Sequence, residues 1–220
     1  MKKLVTILTI LALFTNSCVG QVTKKQEVSN TENVSSVESN QTNPESSPHL
    51  VFKGVPIDGT LNEYVSKMKQ NGFTLVGTED GVAMLSGDFA GYKDCVVGVA
   101  TLKQKDLVAR ITVIFPERNT WSSLSGNYFS LKEMLTEKYG KPSESIEKFD
   151  TPSYSTPKDD GDRMYAVKFD NCKYRTTYET EKGRIELSIE HESVMSCFVM
   201  LTYRDKINGD IIKAKAKDDL

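Results

Sequence analysis

Histidine is scarce in this chain: only two of its 220 residues are histidines. They are His49 and His191, and neither belongs to an H-E-x-x-H pair, which excludes the common zinc hydrolase motif. The sequence also lacks a G-x-S-x-G nucleophile elbow, a P-loop and a glycine-rich dinucleotide fingerprint. We therefore predict no catalytic residue, no metal site and no cofactor.

A strong charge of one sign is missing as well. The 28 basic and 30 acidic residues give a formal net charge of −2. The basic run Lys213–Lys217 is balanced by Asp218 and Asp219, and no other basic cluster has the size of a nucleic-acid-binding surface. We expect no nucleic-acid partner, and the composition leaves the oligomeric state open.

Cysteines are few and none has C-x-x-C spacing, which argues against a zinc ribbon or a thioredoxin-like motif. The four cysteines are Cys18, Cys95, Cys172 and Cys197. If Cys18 is lipidated or removed, three remain, and three cannot all pair within one chain. Two interpretations stay open: buried free thiols on strands, or a disulfide between Cys172 and Cys197.

The N-terminal 20 residues have the pattern of an export signal. A positive start, Met1–Lys3, precedes the apolar run 4–14, which is too short to span a bilayer. Residues 15–18 form a degenerate lipobox that would make Cys18 a lipidated N-terminus, and cleavage after Gly20 is the competing route. We expect an exported protein, either periplasmic or held in the cell envelope by an N-terminal lipid that is its only membrane contact.

Residues 21–48 are predicted to be a disordered tether. They contain no aromatic residue and few aliphatic ones, so they cannot bury enough apolar surface to offset the entropy of ordering. Residues 49–220 are predicted to form one α+β domain.

Two helices are predicted in this domain. Thr60 and Glu63 form a capping box that starts the first helix, and Gly72 ends it. The second helix begins near residues 119–120 and ends at Gly140, two residues before Pro142.

Strands are predicted from alternating apolar and polar residues. In 184–191 the apolar side chains point inward and the polar ones outward, which is typical of an antiparallel sheet packed on one face. The predicted strands are 50–53, 74–77, 82–86, 96–101, 107–115, 165–169, 174–179, 184–191 and 197–203.

The order of these elements favours an α+β fold in which antiparallel strands carry helices on one face. A helix followed by several strands occurs twice, which indicates a tandem duplication of a helix-plus-antiparallel-strands unit. The half-repeats cover about 49–118 and 119–205, and 206–220 form a C-terminal tail.

Two further features have alternative interpretations. Trp121, the single tryptophan, begins the second helix and is either a core residue or a contact for a partner. Residues 159–162 (DDGD) are either a mobile solvated loop or an adventitious cation site, because they lack the ligand spacing of a calcium loop.

Four segments resemble a family of uncharacterised exported proteins from Bacteroides-type gut bacteria. They are FKGVPIDGTLNEYV at 52–65, GDFAGYK at 87–93, VIFPER at 113–118 and LTEKYGKP at 135–142. The element order and the KYGKP helix ending also loosely resemble the β-lactamase-inhibitor-protein-like fold, which small outer-membrane assembly lipoproteins share. These resemblances imply a fold and an exported location but no activity.

The sequence favours a non-catalytic binding module that docks a protein or another cell-envelope component on a sheet face. The alternative is a periplasmic or surface hydrolase with an unrecognised carboxylate site, suggested by the abundance of Asp and Glu.

Overall fold

The computed structural model describes residues 47–102, 105–152 and 156–218. The predicted signal peptide, Cys18 and nearly all of the predicted tether lie outside the described residues. The helices are α1 Leu61–Gln70, α2 Trp121–Tyr139, α3 Asp160–Lys168 and α4 Lys206–Asp218. The strands are β1 Val51–Phe52, β2 Val55–Pro56, β3 Thr74–Glu79, β4 Val82–Phe89, β5 Tyr92–Leu102, β6 Lys105–Ile114, β7 Glu144–Phe149, β8 Cys172–Thr180, β9 Gly183–Ser193 and β10 Ser196–Asp205.

Eight strands form one antiparallel sheet in the order β3-β4-β5-β6-β10-β9-β8-β7, and β1 pairs with β2 separately. Each half of the chain contributes a helix and four strands that run from one edge of the sheet to its centre, and in the second half α3 lies between β7 and β8. The halves meet where β6 pairs with β10. The predicted α+β fold is therefore confirmed, with α1, α2 and α3 covering one face of the sheet.

The main core lies between these helices and the sheet. It is built from side chains with the predicted helical or alternating spacing, including the fully buried Tyr64 of α1, Tyr128 of α2 and Tyr178 of β8. Val108 of β6 also enters this core. The β5–β6 register shifts between Ala100 and Leu102, which moves the alternation of β6 by one residue at that point.

Both predicted helix starts are confirmed. The Glu63 carboxylate accepts a hydrogen bond from the backbone N–H of Thr60 at 3.0 Å, and the Thr60 hydroxyl accepts one from the N–H of Glu63 at 3.3 Å. In α2 the Thr120 hydroxyl accepts from the N–H of Ser123 at 3.4 Å. These contacts satisfy N–H groups that have no partner within a helix.

The predicted strand at 165–169 and the predicted loop at 159–162 are wrong, because α3 occupies both. Asp159 caps this helix by accepting from the N–H of Asp162 at 2.8 Å. Asp160 accepts from the N–H groups of Ser122 at 2.7 Å and Trp121 at 2.9 Å, at the start of α2. These bonds lower the pKa of Asp160, and the bond from the Ser122 N–H contributes most. The acidic segment therefore joins two helix N-termini, where negative charge is favourable.

Candidate binding site on the helix-free sheet face

The face of the sheet that α1, α2 and α3 leave uncovered is called the helix-free face below. It carries an apolar cluster on β4, β5, β6 and β10. Six side chains on it are exposed by 7% or less and pack together, with Val96 at their margin. This apolar patch consists of Val82, Met84, Ala100, Ile114, Phe198 and Met200.

A depression of about 110 Å³ lies next to the apolar patch, on the central and second-half strands. It is called the arginine depression below. Its lining residues are Arg110, Thr112, Arg175, Glu186, Glu190, Met200, Thr202 and Arg204. They come from β6, β10, β9 and β8, so three adjacent strand pairings position them.

Two like-charged residues lie directly opposite each other in this depression. Arg110 of β6 pairs with Arg204 of β10, and two residues along the same strands Thr112 pairs with Thr202. Burial lowers the pKa of Arg110 to about 10, and the charge of Arg204 contributes to the same shift. Like charges directly opposite in a sheet are destabilising when nothing offsets them.

Two glutamates line the other wall. Burial raises the pKa of Glu190, the nearby Glu186 raises it further, and a hydrogen bond from Ser188 opposes both effects. Arg175 pairs across the β8–β9 ladder with Ser188, which lies between the two glutamates along β9. Three arginines and two glutamates therefore line the depression.

Of the two interpretations of Cys172 and Cys197, the structure has free thiols rather than the disulfide. Cys172 lies on β8 and Cys197 on β10, and β9 separates these two strands. Strands two positions apart are roughly 9.6 Å apart, beyond the roughly 4.4–6.8 Å between Cα atoms that a disulfide spans. Burial raises the pKa of the Cys172 thiol to about 12 and that of Cys95 to about 11.

Trp121 is a core residue, so its predicted role as a partner contact is not supported by its position. Its side chain is 7% exposed. The ring centroids of Phe149 and Tyr174 each lie 5.0 Å from that of Trp121. The helix start and the β7–β8 hairpin therefore enclose the indole.

The two histidines are held apart by the fold. His49 Nδ1 lies 3.0 Å from Asp205 Oδ1, and His191 Nε2 lies 3.0 Å from Asp170 Oδ1. Within residues 47–102, 105–152 and 156–218, no three His, Cys, Asp or Glu side chains are placed to hold a metal ion. Across the same ranges, no helix is both long enough and apolar enough to cross a bilayer.

Sequence reasoning missed the residues of the arginine depression. The alternation in 184–191 did place Glu186 and Glu190 on the outward face. The alternation within single strands does not reveal that β6 pairs with β10, and this pairing brings Arg204 beside Arg110. A duplication whose last strands meet at the centre would have been the signal for that pairing.

The fold and the site together define an α+β protein with a one-sided helix layer and a sheet face that carries an apolar patch beside a charged depression. No protein-family model matches the sequence, and neither curated proteins nor solved structures give a match. The resemblances drawn from the sequence therefore remain predictions.

Proposed function

We propose that the protein is an exported, non-catalytic binding module that docks another protein of the cell envelope on its helix-free face. The observation that carries this proposal is the arginine depression lying beside the apolar patch. Protein interfaces commonly combine a desolvated apolar centre with charged residues, and Arg and Met are enriched in them. Arginine occurs here at Arg110 and Arg204, and Met200 lies at the margin of the depression with 6% exposure.

The size of the depression favours a protein partner over a small-molecule substrate. Small-molecule sites usually have volumes of roughly 300–1,000 Å³, whereas the arginine depression has about 110 Å³. That space accepts one side chain of a partner rather than a whole ligand. The remaining contact area would come from the exposed side chains at its edge, Arg175 and Arg204 among them.

A hydrolase is the second candidate function, and one observation favours it. Glu190 has a raised pKa and lies near Glu186, which is the kind of difference that separates an acid from a base in carboxylate catalysis. It is the weaker candidate because the small depression leaves no room for a substrate on which both carboxylates would act. Arg175 also lies across the ladder between the two glutamates, so their carboxylates more naturally interact with its guanidinium than act on a substrate bond.

Export is supported by the apolar run 4–14 and by the cysteine that follows it. Cys18→Ala is expected to move the protein from the membrane fraction to the soluble fraction, because the lipid would be attached through that thiol. Fractionation of lysed cells by ultracentrifugation and immunoblotting measures this. Cys95→Ala is the matched control and should leave the distribution unchanged. Wild-type protein found entirely in the soluble fraction would contradict lipidation.

The docking face is tested by site-specific photo-cross-linking in cells that export the protein. Benzoylphenylalanine at Ser86, which pairs with Val96 beside the apolar patch, is expected to give a discrete cross-linked protein band. The same probe at Tyr165, which is 61% exposed on the helix-covered side, should give none. Equal bands at both positions, or none at Ser86, would overturn the assignment of this face.

A further inference from the structure

The helix α4 is anchored to the domain by its first turn. The Asn208 amide Nδ2 donates to the carbonyl oxygens of Ile57 at 3.0 Å and Val108 at 2.8 Å. The backbone N–H of the same asparagine donates to the Asp205 carboxylate at 2.9 Å. From Asp210 onward, every side chain of α4 whose exposure the structure describes is exposed. Beyond its first turn, α4 therefore presents these side chains to its surroundings rather than to the core.

An exposed apolar stripe runs along α4. Ile207, Ile211 and Ala214 are spaced i, i+4 and i+7, so they lie on one side of the helix. Ile207 is 39% exposed and Ile211 is 37% exposed. A helix of 13 residues is marginal in water on its own, and most helices of this length depend on packing of their apolar side. These three residues, called the isoleucine stripe below, form a contact surface that the described part of the domain leaves open.

Lysines flank the isoleucine stripe. Lys206, Lys213 and Lys217 are exposed and spaced i, i+7 and i+11, which places them on the helix surface about 100° from the stripe. In all, α4 contains four lysines and two aspartates. Asp219, just beyond the helix, leaves the segment with an excess of positive charge. An apolar stripe with lysines along its flank matches a surface that has acyl chains beneath anionic headgroups.

The described chain also begins beside α4. His49 Nδ1 lies 3.0 Å from Asp205 Oδ1, and the Leu50 N–H donates to the same carboxylate at 2.9 Å. Asp205 directly precedes α4, so the predicted tether leaves the domain at the end where α4 lies. The roughly 28 residues between Cys18 and Ser47 would span about 30 Å as a flexible chain. A lipid at Cys18 would therefore keep α4 within reach of the membrane and raise its effective concentration there.

We infer that α4 is a membrane-surface helix that buries the isoleucine stripe in an anionic lipid bilayer and places its lysines among the headgroups. The presence of a membrane nearby rests on the proposed export and lipidation, whereas the affinity of α4 for an anionic lipid surface does not. The N-terminal lipid would then not be the only membrane contact, in contrast to the expectation from the sequence.

Tryptophan fluorescence tests burial of the stripe in lipid, with Ile211→Trp introduced into the purified full chain that carries Cys18→Ala. Vesicles of phosphatidylcholine and phosphatidylglycerol in equal parts are expected to give a saturable blue shift, and brominated acyl chains should quench the emission. Vesicles of phosphatidylcholine alone should give little shift. The native Trp121 is 7% exposed and supplies a constant background.

Met195→Trp is the matched control for position. Met195 is 79% exposed and precedes β10, whereas α4 follows β10, so the two sites lie at opposite ends of this strand. Over the 10 residues of β10 this separation is roughly 33 Å. The emission of the Met195→Trp chain should therefore not change when the same vesicles are added.

Charge reversal tests the lysines in the Ile211→Trp chain. Lys213→Glu combined with Lys217→Glu is expected to weaken binding to the phosphatidylglycerol vesicles at least about 25-fold, because each lysine near an anionic membrane contributes about fivefold. Both side chains are exposed, so the variant should fold. The control Lys67→Glu combined with Lys69→Glu makes the same change of charge on exposed positions of α1 and should leave binding nearly unchanged.

Several outcomes would overturn the inference. They are the absence of a shift with Ile211→Trp, equal shifts with Ile211→Trp and Met195→Trp, and equal binding by the two charge-reversed pairs. A blue shift of Ile211→Trp that grows with protein concentration in the absence of lipid would show that a second copy of the chain covers the stripe, and would overturn the choice of a membrane.

This inference and the proposed lipidation fail separately. Vesicle binding at Ile211→Trp, with the wild type found entirely in the soluble fraction, would retain the surface helix and remove the lipid anchor. Release of the protein from membranes by Cys18→Ala, without a vesicle-induced shift at Ile211→Trp, would retain the anchor and remove the role of α4.

Discussion

Asp205→Ala is expected to lower the free energy of unfolding by about 3–5 kcal/mol, because it strands several buried hydrogen-bond donors. The residue is 2% exposed. Its carboxylate accepts from the backbone N–H of Leu50 at 2.9 Å, the N–H of Asn208 at 2.9 Å and His49 Nδ1 at 3.0 Å. In the variant these groups lose their acceptor in a place that water reaches poorly.

The effect should be global because Asp205 joins distant parts of the domain. It ends β10, caps the start of α4 and holds the chain that leads into β1. Asn208 extends the connection, since its amide Nδ2 donates to the carbonyls of Ile57 at 3.0 Å and Val108 at 2.8 Å. The two ends of the described domain are thus tied through two buried polar side chains.

Chemical denaturation followed by circular dichroism measures this prediction. Asp210→Ala is the matched control, because Asp210 lies in the same helix with a 59% exposed side chain and a weak contact to Lys213 at 3.9 Å. It should change stability by less than about 0.5 kcal/mol. A loss below about 1 kcal/mol for Asp205→Ala would mean that the buried donors find other partners, contrary to this account.

Local signals in the sequence predicted much of the fold. The capping box at Thr60 and Glu63 and the glycine after α2 are contained within a few residues, so they could be identified without knowledge of tertiary contacts. The alternation in β9 was equally local. These elements were predicted correctly because the interactions that define them join residues close together in the sequence.

The misassigned elements depended on contacts that the sequence does not display. The segment 165–169 was read as a strand, yet Asp160 stabilises a helix there by bonding to the start of α2, a distant segment of the chain. β7 was missed because it is a polar edge strand whose only ladder is with β8. Such pairings outweigh weak local propensity.

The candidate site could not be predicted for the same reason. Arg110 and Arg204 each look like an ordinary outward residue of an amphipathic strand. Only the β6–β10 register converts them into adjacent cations above paired threonines. Which side chains become neighbours on a sheet surface depends on the order and register of the strands, and these are determined by the whole fold.

Gly183→Ala is expected to lower the free energy of unfolding by about 2–4 kcal/mol, because the added methyl group meets backbone and has no room to move. Gly183 begins β9 with φ of +150°, a conformation that side chains disfavour. A Cβ there would overlap the carbonyl oxygen of Arg204 and lie 2.7 Å from Leu50 Cδ1. The first pair of the β9–β10 ladder, Gly183 with Asp205, would have to separate.

Thermal and urea denaturation of Gly183→Ala measure the loss, and a second glycine separates its two causes. Gly91 also has a positive φ, of +82°, but a Cβ built on it meets no atom within 4 Å. Gly91→Ala should therefore cost only the backbone term of about 1 kcal/mol. If both variants lost the same stability, overlap with Arg204 would contribute nothing. The close approach of β9 to the end of β10 would then not be what requires glycine at this position.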